Sequence, residues 1–186
     1  MKKTIIAAFS MTLVCLTGCA TKPTADPVAS YLLADGATRG VILGRSEEAD
    51  AIRRFRAFYS SLTGESVRTE TARLYAPDVF FNDTLKTLHG NRAVEEYFLR
   101  TVAHTEFVRT RVTDVARSGS NYYVHWVMDV RFRGSSRTIR TIGMTHLKFN
   151  REGRIVLHQD YWDSTAGFFE YVPILGPVIR WIKMLI

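Results

Sequence analysis

"LKFNREGRIVLHQDYW", residues 147–162, is the stretch whose reading decides the fold. It has the two-residue period of extended chain, interrupted by the turn-rich tetrapeptide "NREG". It reads as the last hairpin of a sheet. Working backwards, the same period holds from Glu106 onwards, with strands expected at 106–117, 121–133, 136–149 and 154–162. "SGSN" and "RGSS" supply the earlier turns. Tyr122, Val124, Trp126, Met128, Val130 and Phe132 alternate with Tyr123, His125, Val127, Asp129 and Arg131, so one face of that strand is apolar. Long sequential strands with short turns predict an antiparallel meander.

Upstream the period changes to that of a helix. Residues 46–62, "SEEADAIRRFRAFYSSL", place Ala49, Ile52, Phe55, Phe58 and Tyr59 at helical spacing, with Ser46 as the expected cap and Gly64 as the stop. A short helix is expected over 67–75, ending at Ala76-Pro77, and then a short strand at "DVFFND". "GNRAVEEYFLRTVAHT" predicts a third helix with Val94, Tyr97, Phe98 and Val102 on one face. Helices first and strands last predict an α+β domain over 46–163.

Two stretches carry a resemblance to a known family. "LYAPDVFFND" and "LKFNREGRIVLHQDYW" resemble the nuclear transport factor 2-like superfamily, which includes SnoaL-like proteins and the ketosteroid isomerases. The resemblance covers about residues 46–163 and implies a curved antiparallel sheet wrapped into a cone against N-terminal helices. It implies that Asp83 stands where the isomerases keep their general base, Tyr59 where they keep an oxyanion-binding tyrosine, and Trp162 where a tryptophan lines the pocket. Thr145 departs from the pattern: it occupies the position of a protonated aspartic acid, and a threonine hydroxyl is the weaker donor. The family hosts many reactions, so the resemblance speaks for the fold more than for the chemistry.

Strand parity divides the last strand into Val156, His158, Asp160 and Trp162 on one face and Ile155, Leu157, Gln159 and Tyr161 on the other. Hydrophobicity alone would bury the second set. The resemblance turns the first set into the cone. There His158 and Asp160 would join Asp83 and Tyr59 as acid/base groups, with Trp162, Thr145, Trp126, Met128 and Thr141 lining the ligand space. The residues themselves leave plainer readings open: Asp83 as a strand-end turn residue, Tyr59 as core packing, His158 and Asp160 as a structural buried pair. No cofactor is expected, and the five histidines show no metal-ligand spacing.

The first residues read differently. "MKKTIIAAFSMTLVCLTGC" has a cationic start and an apolar run too short to span a bilayer, as in a secretory signal. Its end, Leu16-Thr17-Gly18-Cys19, is similar to the lipobox of bacterial lipoproteins. The expected layout is a signal at 1–18, lipidation at Cys19, an Ala-, Thr-, Gly- and Pro-rich tether over 19–45 whose apolar pieces "SYLL" and "GVIL" can dock on the domain, the domain over 46–163, and an apolar helical extension over 164–186. That places the protein in the bacterial envelope, with the periplasmic face of the outer membrane favoured because Ala20 follows the cysteine. The formal charge of +7 is scattered rather than gathered on a recognisable module, which argues against a nucleic-acid reader.

In "STAGFFEYVPILGPVIRWIKMLI", Ser164 or Thr165 can cap a short helix, and 177–186 can form a last one that is nearly all apolar. It can close the cone or pack in a dimer, lie in a membrane interface with Arg180 and Lys183 at headgroup level, or hang free. The functional expectation is a pocket for an apolar small molecule, non-catalytic or weakly catalytic. The alternatives are a cofactor-free isomerase, dehydratase or hydrolase using Asp83, and an envelope scaffold. A homodimer through the convex sheet face stays open.

Overall fold

The structure, a computed structural model, describes residues 26–172 and 174–185. The expected signal, Cys19 and the first part of the tether lie outside the described residues. The chain begins with helix α1 (Pro27–Ala37), then α2 (Arg45–Ser60) and α3 (Gly64–Leu74). Strand β1 (Tyr75–Asn82) and the short β2 (Thr87–His89) lead into α4 (Asn91–His104). The four long strands follow as β3 (Thr105–Ser118), β4 (Asn121–Phe132), β5 (Ile139–Phe149) and β6 (Ile155–Trp162). A short α5 (Ser164–Gly167), a single 3-10 turn at Phe169–Tyr171 and α6 (Leu175–Leu185) complete it.

The six strands form one sheet in the order β2-β1-β6-β5-β4-β3. The expected meander is β3 to β6. The sheet as a whole is mixed, because β1 pairs with β6 in parallel. Pro77 has no N–H to give to that ladder, and the register between β1 and β6 shifts between Tyr75 and Phe80, around the proline.

Two boundaries differ from the sequence reading. Ser46 caps nothing; its hydroxyl turns to Glu47, and Gly44 holds the N-cap position of α2 without a side-chain bond. Gly64 opens α3 rather than stopping α2. Thr63 is extended, accepts from the Ser66 N–H at 3.1 Å, and takes the Ser66 hydroxyl on its own backbone N–H at 3.0 Å, a reciprocal capping box.

The core lies between the concave face of the sheet and helices α2 to α4. Phe55 and Phe58 from α2, Val67 and Leu74 from α3, and Val94 and Phe98 from α4 meet Tyr122 and Val124 of β4 and Leu147 and Phe149 of β5. Burying a side chain of this size stabilises by about 1.5–3 kcal/mol, so these faces fix the sheet's curvature around the helices.

Strand β6 corrects the parity reading at one residue. Phe149 pairs with Ile155, but Lys148 pairs with Leu157, so one extra residue is inserted on β6. Ile155, not Val156, therefore shares the inner face with Leu147, and it joins the core. Beyond the bulge His158, Asp160 and Trp162 face inwards opposite Leu147, Thr145 and Gly143.

The convex face is not left bare. Helix α1, from the stretch read as a tether, lies on it. Tyr31 reaches His146 Nδ1 at 3.2 Å and packs edge-on against Tyr161. Lys148 donates to the carbonyls of Asp35 and Thr38 at 2.7 and 3.2 Å. The face expected to meet a second copy is thus partly covered by the chain itself.

Candidate functional site

A cavity of about 570 Å³ opens inside the cone. Its walls are mainly aromatic and aliphatic: Phe55, Tyr59 and Leu62 from α2, Phe81 from β1, Phe98 from α4, Trp126, Met128 and Val130 from β4, and Trp162 from β6. Glycine makes room for one of these walls. A Cβ on Gly143 would stand 2.4 Å from the Trp126 ring, so only glycine at that point of β5 lets the indole cross the strand.

Asp160 is the focus of the polar groups. Its Oδ1 accepts from Thr145 Oγ1 at 2.5 Å and from His158 Nε2 at 3.0 Å. Trp126 Nε1 donates to the Thr145 hydroxyl at 2.8 Å, which commits the threonine's own proton to Asp160. On the other side His158 Nδ1 lies 3.1 Å from Tyr75 Oη, which lies 2.5 Å from Tyr59 Oη. A carboxylate only accepts, so the His158 proton sits on Nε2 and Nδ1 accepts from Tyr75. Tyr59 in turn donates to Tyr75. Every proton along Tyr59, Tyr75 and His158 points towards Asp160. Among the described residues Asp160 Oδ2 carries no hydrogen bond.

Packing holds this chain of groups rigid. His158 is 1 % exposed. Its ring stacks on Phe81 with centroids 4.6 Å apart and lies beside Tyr59 at 6.1 Å. Burial pushes the Tyr59 and Tyr75 hydroxyls well above the ordinary tyrosine range, so both stay protonated donors at neutral pH. The Tyr75 charge and then that of Asp160 add to the shift at Tyr59, while the bond Tyr75 receives from Tyr59 opposes it at Tyr75.

Asp83 forms a second polar centre at the tip of the β1–β2 hairpin. Its Oδ1 accepts from the N–H groups of Leu85 at 3.0 Å and Lys86 at 2.8 Å, and its Oδ2 accepts from the Tyr97 hydroxyl. Thr84, next in the turn, is a β-branched residue at φ +73°, a conformation that costs energy and persists only where its surroundings impose it. Trp162 Nε1 donates to the Asp83 carbonyl at 2.8 Å and ties the hairpin to β6. Burial raises the Asp83 carboxyl above its usual range. The Tyr97 bond pulls it back, the Asp160 charge raises it further, and the two backbone N–H groups oppose. Asp83 is therefore both a turn residue and a wall of the cavity.

The structure brings together most of the expected residues. Asp83, Tyr59, His158, Asp160, Trp162, Thr145, Trp126 and Met128 all line the cavity. Thr141 does not. It is 7 % exposed and lies beneath Gly167, where an added Cβ would come within 3.0 Å of it. The helix after the last strand covers that end of β5, a contact strand parity cannot foresee. Tyr75 and Tyr97 are the polar residues the sequence reading missed. Each is an aromatic hydroxyl in an otherwise apolar stripe, and a buried tyrosine usually finds a partner for its hydroxyl. The extension contributes too: Asp163 caps α5 by accepting from the Ala166 N–H at 3.0 Å, and Phe168 and Phe169 stand at the mouth of the cavity. No group of three or more potential metal ligands occurs among the described residues.

A family model described as "SnoaL-like domain" matches residues 55–158. No curated protein matches the chain. Solved structures match over the cone. One is a hypothetical protein with a ketosteroid isomerase-like fold from Catenulispora acidiphila, in complex with trimethylamine: 20 % identity, TM-score 0.56, 63 % of this chain and 88 % of that one. Another is an LEH-like epoxide hydrolase from M. tuberculosis: 15 % identity, TM-score 0.55, 75 % and 96 %. A third is a nuclear transport factor 2-like protein of unknown function from Burkholderia pseudomallei: 20 % identity, TM-score 0.54, 63 % and 92 %. At these identities the likeness is one of fold.

Proposed function

The chain belongs to the SnoaL-like domain family, and from that premise we propose that its cone is a binding pocket for an apolar small molecule. The observation that carries this reading is the aromatic and aliphatic cavity of about 570 Å³, within the roughly 300–1,000 Å³ range of small-molecule sites. The donors on its inner wall already bond one another. An apolar guest can fill the space without stranding any of these donors, whereas a developing oxyanion would find the Tyr59 proton committed to Tyr75. The test is to purify the domain and identify what co-purifies by mass spectrometry, then to titrate the emptied protein with that compound while following tryptophan fluorescence. Trp126 and Trp162 both line the cavity, so occupancy should change their emission. A domain that retains no organic compound and binds none from a panel of apolar molecules would overturn the reading.

One observation favours a second reading, cofactor-free acid/base catalysis. Asp160 Oδ2 is bare, and Asp83, raised by burial, lines the same cavity. A carboxylate of that kind can take a proton from carbon or from water, as an isomerase, dehydratase or hydrolase requires. Turnover of a captured ligand that disappears in both Asp83→Asn and Asp160→Asn, with the fold intact, would establish it.

We also propose that the domain works at a bilayer of the bacterial envelope. Cys19 in "LTGC" would carry the lipid. Helix α6 supports a second contact: Val178, Trp181, Ile182, Met184 and Leu185 are exposed, and its charged residues are Arg180 and Lys183, both cationic. Incorporation of labelled palmitate that is lost in Cys19→Ala checks the anchor.

A further inference from the structure

The cavity has an inside and a rim of opposite charge. Inside, the carboxylates of Asp83 and Asp160 are the acidic groups on the wall. The cations are Lys86, just beyond the hairpin tip, and Arg100 on the outward side of the last turns of α4, both exposed. Neither has an ion-pair partner among the described residues, although most arginines of this chain that stand beside an acid are paired with it, as Arg131 is with Glu106 at 2.6 Å. His104, one turn beyond Arg100, completes the same stretch of rim. Its Nδ1 donates to the Arg100 carbonyl at 2.8 Å, so Nε2 of the neutral ring is an acceptor and takes no part in gripping an anion.

We propose that the pocket takes an anionic amphiphile, its apolar body inside the cone and its negative head held at the rim by Lys86 and Arg100. This deepens the apolar-pocket reading and rests on it. Charge decides the orientation. A negative head inside would face two carboxylates in a space of low dielectric, where like charges repel most strongly. At the rim it meets two cations that have no ion-pair partner among the described residues. A cationic amphiphile would be drawn the other way, towards Asp83 and Asp160, with its head buried among aromatic rings. A neutral one would gain no charge attraction at either end. Carboxylate and phosphate heads share the chemistry the rim recognises, and a guanidinium can take either in a bidentate grip.

The test uses simple probes below their micelle concentrations on the full chain; binding to α6 is separated from binding in the cone by the double variant below. Dodecanoate, dodecyl phosphate, 1-dodecanol and dodecyltrimethylammonium are titrated against tryptophan fluorescence. At least one anion should bind about tenfold more tightly than 1-dodecanol, and added salt should shrink that margin. Whichever anion leads names the head. Lys86→Ala/Arg100→Ala should bring the anions down to the affinity of the alcohol and leave the alcohol unchanged. If the alcohol binds and neither anion binds better, or if the double variant keeps the margin, the head assignment falls while the pocket stands. If none of the four binds, the apolar-pocket reading falls with it.

Discussion

Thr145 and Asp160 face each other directly across strands β5 and β6, and the threonine hydroxyl donates to the aspartate at 2.5 Å. By resemblance, position 145 is where the isomerases place a carboxylic acid. Here a carboxylate stands on the neighbouring strand instead, and the hydroxyl at 145 orients it. The acid of this part of the inner wall thus stands on β6, oriented by a hydroxyl from β5.

Thr145→Val tests that arrangement. The exchange keeps the shape, removes one donor from Asp160 and leaves the Trp126 N–H unpaired in a buried site. Losing a buried partner costs about 1–3 kcal/mol. We expect the urea midpoint to fall by a corresponding amount, with a change in tryptophan emission. A variant as stable as the parent would show that Asp160 needs no support from Thr145.

Asp83 makes stability depend on pH in a definite direction. Its carboxyl titrates higher folded than unfolded, because burial disfavours the charge. Its contribution is therefore fully present below the unfolded value, near 3.8, and is lost as pH rises through the folded value. Asp83→Asn removes the dependence. The stability of the variant relative to the parent should climb as pH rises from about 4 and then level off. Each unit of upward shift corresponds to about 1.4 kcal/mol. A flat difference across that range would mean Asp83 is not buried as a charge.

The hold of α1 on the sheet should weaken in acid. Burial lowers the His146 ring below its ordinary value of 6.5, against the Asp35 charge, which raises it. Its contribution is present above the unfolded value and is lost as pH falls through the folded one. Protonation also removes the acceptor that Tyr31 uses. The protection of amides in residues 27–37, taken against their intrinsic exchange rates at each pH, should therefore fall between pH 7 and pH 5. His146→Gln should abolish most of that pH dependence; protection that stays equal at both pH values in the parent would contradict it.

Helix α6 packs on the 169–171 turn, where Arg180 donates to the Glu170 carbonyl at 2.9 Å and Lys183 reaches its carboxylate at 2.6 Å. Gly176 sits so close to Glu170 that an added Cβ would fall 2.1 Å from its carbonyl oxygen. Apart from the half-buried Ile179, the rest of the helix is exposed. Deleting 174–186 should leave the cone folded, with the thermal midpoint moved by no more than about 4 °C, the equivalent of roughly 1 kcal/mol. Sedimentation with anionic vesicles should fall sharply. Aggregation or loss of the transition would instead mark α6 as part of the core.

The sequence by itself determined the four long strands, the three helices before them and the facing of β4, because periods of two and 3.6 residues are local properties of the chain. It also brought His158, Asp160 and Trp162 to one face and, through a family resemblance, joined them to Asp83 and Tyr59. Contacts between distant elements were decided only by the tertiary structure. The bulge at Val156 depends on how β5 and β6 pair, so parity misplaced Ile155. The parallel pairing of β1 with β6 joins strands separated by α4 and the first three strands of the meander. Tyr75 and Tyr97 gained their roles from partners at 158 and 83, the former 83 positions away. Thr141 lost its place in the wall to Gly167, and His146 gained Tyr31 from a stretch that reads as a tether. Hydrogen bonds between side chains far apart in sequence leave no local period, and in this protein they are what make the wall of a cone into a candidate site.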